Sequence, residues 1–370
     1  MVQSPPTLRS LARSLGLSHA TVSAALNGRG RVRADTARCV HAAAKAAGYH
    51  PNPLTSAVMS EVRRSRGSMV RAIIAVVDTT ESDRPREMAG YIAEIMRGAE
   101  ERGAALGFKI DPLVLGGSGV PRLRFDSVLR ARGIRRVILL PAWHEPDVSY
   151  LDWGYFQGVY TDYVVEQPAL PSIHPDHYRG MMLALQHLRA LGYRRPGLFV
   201  GPHQNERIQY RWEAAFLAFV ANFGDLAGAV PCLKSATANR GEFVQWFREY
   251  GPDVVVAHHP EALEWMTAAG ASVPETHGFL SLDQLGCSFP CAGLDLRPSR
   301  IGALALEHIT AQWHPQESGP SAEAVSTVSV MPRWVAGPTL RGMERTEAAT
   351  APIPLTFPRF SARAPLSQAG

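Results

Sequence analysis

The apolar positions of the first fifty residues fall at helical spacing. Leu8, Leu11, Ala12 and Leu15 recur at i, i+3, i+4 and i+7, one stripe of an amphipathic helix. Gly16 breaks it, and Leu17 follows as a small apolar plug. Ser18 then suits the N-cap of a second helix, because its hydroxyl accepts from free backbone N–H groups of the first turn. That helix carries Thr21, Val22, Ala25 and Leu26 and stops at Asn27-Gly28. A third helix starts near Ala34 and turns Thr36, Val40, Ala43, Ala44 and Ala47 inward. Gly48 ends it, and Pro51 and Pro53 follow. Helix, tight glycine-containing turn, helix is the arrangement that places a recognition helix in the DNA major groove.

From residue 71 the pattern changes. AIIAVV (72–77) is a continuous apolar run, as expected of a parallel strand buried on both faces. An amphipathic helix from about Arg86 to Leu106 follows, with Ile92, Ile95, Met96 and Ala99 on one face. FKIDPLVL (108–115) and RVILLP (136–141) read as strands. LRALGYRRPGLFVGP (188–202) reads as a helix end, a turn and a strand. DVVVA (253–257), GFLSL (278–282) and VSTVSV (325–330) supply later strands. This βαβα alternation predicts an α/β class with doubly wound sheets. The chain divides into a helix-turn-helix head (1–50), a linker (51–67), a body (68–345) and a tail (346–370) rich in Pro, Ala, Ser and Thr. Within the linker, PLTSAVMSEVRRSR is too short to hold a helix alone in water.

Charge sharpens the division. The 370-residue chain is net +5, yet residues 1–71 hold eleven basic side chains against two acidic ones (Asp35, Glu61), so the head is net +9 and the remainder net −4. A basic head on a mildly acidic body points to a polyanionic partner for the head. Four irregularly spaced cysteines suit a reducing cytoplasm better than a disulfide framework. Cys287 and Cys291 have no matching pair nearby, so neither zinc nor any other cofactor is expected. MVQSPPTLRS has no apolar core of a signal peptide, and no run of about 18 apolar residues suggests a membrane span.

LARSLGLSHATVSAALNG, with Thr36, the AAAKAAGYHPNP run and the long α/β segment behind it, resembles the lac repressor/GalR family of transcriptional regulators. The resemblance implies a periplasmic-binding-protein-like body of two lobes. The first would run from about 70 to 165 and take back about 293–323; the second would hold about 166–292 and the last strand. It also implies a homodimer, a near-palindromic double-stranded DNA operator and a small carbohydrate-like effector between the lobes.

The resemblance assigns residues as well. Ser18, Thr21 and Ser23 are expected at phosphates, with Arg29, Arg31 and Arg33 adding charge beside them, and Asn27 and Asn52 are also expected among the DNA-binding residues. His19, Ala20 and Ala24 fall at the base-reading positions. Ala24 stands where the family commonly has Arg, the usual reader of guanine, and offers only apolar contact. His19 then either contacts DNA or is plainly solvated. Val58 and Met59 fall where the family wedges an apolar side chain into the minor groove; the alternative is that they pack two linkers of a dimer.

In the body, Arg211 matches the family's ligand-gripping arginine approximately, and Arg207 is the competing match. Trp143 and His144 follow the strand RVILLP, where an aromatic either stacks on a sugar or fills loop core. Asp162 and Asp176 lie near the first crossover. His258-His259 replaces the family's usual Asn-Asp pair, so His259 meets the ligand without a carboxylate, which argues against a simple hexose. Asp283 is either pocket or structural.

Two other classes remain on the same body. An enzyme would need catalytic apparatus, but GGSG (116–119) is a lone glycine cluster and no G-x-S-x-G elbow occurs. An extracytoplasmic small-molecule receptor would need a signal peptide and no basic head.

Overall fold

The structure is a computed structural model that describes residues 8–26, 33–46, 72–79, 81, 83–116, 119–163, 169–223, 230–235, 239–311 and 326–342. The chain forms two compact units, Met1–Arg71 and Ala72–Gly370.

The first unit holds three helices, α1 (Leu8–Ser14), α2 (His19–Leu26) and α3 (Ala34–Ala46). Their small core is Leu11, Ala12, Val22, Ala25, Val40 and Ala44, all buried, with Leu15 and Leu17 packed against it. Gly16 turns the chain with φ +63°, in the left-handed region that glycine enters without a Cβ clash. The linker positions 51–67, the inward position Ala47 and the tail 346–370 lie outside the described residues.

The second unit is built from two open sheets. The first contains β1 (Ile73–Thr79), β2 (Lys109–Leu115), β3 (Arg136–Leu139), β4 (Gln157–Tyr160), β5 (Ser172–Pro175) and β10 (Thr327–Val330), all parallel in the order β10-β5-β4-β3-β1-β2. The second contains β6 (Pro196–Phe199), β7 (Val254–Ala257), β8 (Gly278–Ser281), β9 (Ala292–Asp295) and β11 (Arg333–Val335), in the order β11-β9-β8-β7-β6, with only β11 antiparallel. The central strands β7 and β8 are buried throughout, as their continuous apolar sequence requires.

Helices connect and cover the sheets. They are α4 (Met88–Leu106), α5 (Arg122–Ala131), α6 (His177–Ala190), α7 (Pro202–Arg207), α8 (Arg211–Asn222), α9 (Arg240–Tyr250), α10 (Ala262–Ala268) and α11 (Pro298–Ala311). Helix α4 buries Met88, Ile92, Ile95, Gly98, Ala99 and Gly103, and Met96 is half-buried. Its closest partner is α11. A Cβ at Gly98 would stand 1.9 Å from the Ser299 carbonyl oxygen, and one at Gly302 would stand 1.9 Å from that of Ile95. The two glycines let the backbones touch, and this contact returns α11 to the first lobe.

The lobe boundaries differ from those expected. The first sheet keeps the chain through β5, because Tyr160 pairs with Ser172, and only then does the chain cross. The strand from VSTVSV joins the first sheet beside β5, whereas the strand at 292–295 stays in the second. The last strand in the chain is the short β11, which does return to the second sheet. The chain thus passes between sheets after β5, after β9 and after β10. Pairing across the sheets, which no local pattern encodes, decided each of these memberships.

Candidate functional site

In the head, α1 ends through Gly16, whose N–H donates to the Arg13 carbonyl at 3.3 Å, and Leu17 N–H donates to that of Ala12 at 3.1 Å. The chain is then set for Ser18, whose Oγ accepts from Thr21 N–H at 3.0 Å and shares a 2.8 Å bond with Thr21 Oγ1. The N-cap expected of Ser18 is present. Of the two hydroxyl protons, one is used in the mutual bond and the other is left for an outside acceptor. His19, Ala20, Ser23 and Ala24 lie on α2, and their side chains are outside the described residues. So are Asn27, Arg29, Arg31, Asn52, Val58 and Met59 altogether. Arg33 is exposed just before α3.

The body holds a cavity of about 210 Å³. One water needs only ~10–15 Å³, so there is room for a small molecule. Its walls come from the carboxyl ends of strands in both sheets. Trp143 follows β3, Asp162 follows β4, Pro202, His203, Gln204 and Arg207 follow β6, His258 and His259 follow β7, and Asp283 follows β8. Parallel α/β sheets offer this edge to ligands because the connecting loops diverge there and leave a crevice.

Arg207 spans the cleft. It makes an ion pair with Asp162 of the first lobe. It also donates to the Ala142 carbonyl at 3.3 Å and to Gln204 Oε1 at 3.3 Å, with its Cζ 5.9 Å from the Trp143 ring centre. A second bridge between lobes runs from His203 Nε2, which donates to the Trp143 carbonyl at 2.8 Å. The two rings lie 4.4 Å apart. The loop bearing Trp143 is clamped by Glu81, which accepts from the backbone N–H of Trp143 at 2.5 Å and of His144 at 2.8 Å.

The remaining walls are aromatic and imidazole surfaces. His177 lies edge-on to Trp212 at 4.8 Å, and Trp212 lies 5.3 Å from His258. Burial pushes the His177 imidazole well below its ordinary range, and desolvation with the neighbouring His259 carries His258 down to about 3, so both are neutral at pH 7. Asp283 shifts the other way. Its carboxyl is desolvated, which pushes it up to about 6 although its Oδ1 accepts from Leu285 N–H at 3.2 Å.

The structure brings Trp143, Asp162, His259 and Asp283 to this one cavity and leaves three other candidates out. His144 is exposed and binds Asp83 Oδ2 through Nε2 at 2.7 Å. Asp176 caps α6 by accepting from Arg179 N–H at 3.0 Å. Arg211 is also outside; its guanidinium binds Gln209 Oε1 at 3.0 Å and lies 4.9 Å from the Tyr163 ring centre. The arginine in the cleft is Arg207. On one continuous helix the two arginines, four apart, would share a face. Instead the helix breaks at Gln209 (φ +56°) and Tyr210 (φ +57°), two non-glycine residues in left-handed conformation. Sequence reasoning also missed Tyr91, His177, His203 and Trp212. A signal existed for His203, because it sits directly behind the strand GLFVGP. Trp212 and His177 reach the cleft only through tertiary packing.

Among the described residues no helix is long and apolar enough to cross a membrane, and no group of three or more His, Cys, Asp or Glu is placed to hold a metal ion.

Residues 7–52 match the family profile described as bacterial regulatory proteins, lacI family. No curated protein matches the sequence. Solved structures share the fold at low identity. A transcriptional regulator CelR in complex with cellobiose is 22% identical with a TM-score of 0.53, over 90% of this chain and 99% of that one. The lac repressor dimer bound to operator and the anti-inducer ONPF is 18% identical with a TM-score of 0.52, over 91% and 99%. A LacI transcriptional regulator from a Rhodococcus species is 16% identical with a TM-score of 0.55, over 72% and 98%.

Proposed function

We propose that the chain, whose residues 7–52 match the profile of the lacI family of bacterial regulatory proteins, is a DNA-binding transcriptional regulator with an effector-binding body. From that premise we propose that it is a repressor that binds a near-palindromic operator as a homodimer and carries its effector, a carbohydrate-like small molecule, in the cleft between the two lobes of the body. The observation that carries this reading is one chain joining that head to a cleft which two lobes close through Arg207 and Asp162. A two-fold protein reads a two-fold site, so half-site symmetry follows from dimerisation. The operator and cellobiose of the structurally similar regulators support the DNA and the carbohydrate class in turn.

On this reading Ser18, Thr21, Ser23, Arg29, Arg31 and Arg33 face phosphates, and His19, Ala20 and Ala24 face bases. Val58 and Met59 order the linker against the minor groove. Ordering costs roughly 1–2 kcal/mol per residue of backbone entropy, which groove contact offsets. An effector that moves the lobes would remove that offset while the heads stay folded. In the cleft, Arg207, Asp162, Trp143, His259 and Asp283 hold the effector.

The test is DNA binding by the full chain across a salt series, on selected near-palindromes and on scrambled duplexes. The expected slope of log K against log[salt] is about −0.9 per phosphate contact, with a preference for the palindrome. A flat salt response, or equal affinity for every duplex, would overturn the reading.

A further inference from the structure

Arg207 is the only Lys or Arg among the cavity's lining residues, and it is already engaged by Asp162, the Ala142 carbonyl and Gln204. Three other lining carboxylates, Glu87, Glu261 and Asp283, have no ion-pair partner among the described residues. They come from both lobes: Glu87 just ahead of α4, Glu261 just ahead of α10 and Asp283 behind β8. Glu87 and Glu261 are exposed and both act electrostatically on His259. Asp283 is half-buried and desolvated. The ring-bearing walls Tyr91, Trp143 and Trp212 complete the site. An anionic ligand entering here would meet three uncompensated negative charges and no free cation. A cationic one would meet carboxylates and aromatic rings, groups that attract positive charge.

Resting on the reading of this cleft as the effector site, we infer that the effector is a carbohydrate-sized molecule bearing a protonated amine, held between the Asp283 carboxylate, the exposed lining carboxylates Glu87 and Glu261, and the aromatic walls. The neutral histidines fit the same assignment. His177 and His258 add no competing positive charge at pH 7. The raised carboxyl of Asp283 marks a desolvated acid that has backbone hydrogen bonds but, among the described residues, no cation beside it, and an ammonium group supplies one.

Two charge series test this on the full-length chain at pH 6.5: glucosamine, glucose and glucuronate, and benzylamine, benzyl alcohol and benzoate. Each compound is titrated by calorimetry and by melting-temperature shift. The amine is expected to bind tightest in at least one series, by about tenfold over its neutral analogue, equivalent to one net charge contact of ~1.4 kcal/mol. Asp283→Asn, and separately the pair Glu87→Gln and Glu261→Gln, should lower amine affinity several-fold and leave the neutral analogue within twofold. The surface glutamates keep that second variant independent of any folding defect at Asp283. Equal or tighter binding of the acids, a ranking unchanged in both variants, or no binding in either series overturns the assignment. Gly201→Leu, which fills the cavity beside His259, separates the two failures. If the favoured compound is neutral or acidic and Gly201→Leu abolishes its binding, the ligand class is wrong and the site stands. If binding survives Gly201→Leu, the site itself is wrong.

Discussion

Arg207 and Asp162 stand in different lobes and form the ion pair that spans the cleft, with the arginine 17% and the aspartate 8% exposed. The pair closes the body with the chain's own charges. Any ligand that engages Arg207 must share it with Asp162 or displace it, so on the proposed reading effector binding and lobe closure would act on the same bond. Breaking one partner of a buried pair is costly because the other charge is left uncompensated, about 3–5 kcal/mol.

Arg207→Ala should therefore lower the melting temperature and abolish the effector response of DNA binding. Arg211→Ala, outside the cavity, should leave effector affinity within a few-fold. The double change Arg207→Gln with Asp162→Asn should recover part of the lost stability, because neither charge is then stranded. Thermal melts and effector titrations of the four proteins check this. Equal effector loss in the two single alanine variants would show that the cleft arginine is not the determinant.

Asp283 gives a pH dependence with a definite sign. Its folded carboxyl is raised to about 6, so the folded state holds a proton that the unfolded chain releases near the ordinary aspartate range. Its contribution to stability is greatest at low pH and is lost as pH rises from about 4 through about 6. Asp283→Asn keeps an oxygen for Leu285 N–H and removes the charge. The variant should gain stability over the wild type progressively across that window, with the gain flat above pH 7. A difference that is constant from pH 4 to 8 in parallel melts would refute the shift.

Two glycines on the helices of the first lobe offer a matched pair. Gly302→Ala places a Cβ 1.9 Å from the Ile95 carbonyl oxygen, so α11 must separate from α4; overpacking of this kind costs about 1–3 kcal/mol or more. Gly90→Ala, on α4 with nothing within 4 Å of the added carbon, should be neutral or stabilising by up to about 1 kcal/mol. Denaturant midpoints of the two variants measure the contrast, which fails if both move alike.

Removing the Ser18 cap should act on the head alone. Ser18→Ala leaves Thr21 N–H without its acceptor and should destabilise α2 by ~1 kcal/mol. Operator affinity should fall, and effector affinity of the body should be unchanged. Ser18→Asp restores a cap acceptor but adds a negative charge. It should rescue head stability while weakening DNA binding further, because on the proposed reading that charge would face phosphate. Operator binding of Ser18→Asp at wild-type strength would remove Ser18 from the phosphate contacts.

In the linker, Val58→Gly should weaken operator affinity and blunt effector control, and Val58→Leu should tighten specific binding. Operator titrations with and without effector decide the matter. An unchanged affinity for the glycine variant makes residues 51–67 a passive tether.

The sequence by itself determined the parts whose cause is local. The stripe Leu8, Leu11, Ala12 and Leu15, the break at Gly16 and the cap at Ser18 set the first two head helices, because helical spacing, left-handed glycine and capping act within a few residues. AIIAVV and DVVVA declared buried parallel strands by their unbroken apolar runs, and Trp143, Asp162, His259 and Asp283 stood close enough to strand ends to be placed at the cleft. Tertiary structure decided what depends on partners far along the chain. The four-residue strands QGVY and SIHP carry no pattern of their own and exist as β4 and β5 because neighbours pair with them. The VSTVSV strand belongs to the first sheet through Thr327 beside Ser172, a partner 155 residues away. The cleft arginine is Arg207 and not Arg211 because two left-handed residues break the helix between them, and no periodicity records a turn that only packing sustains.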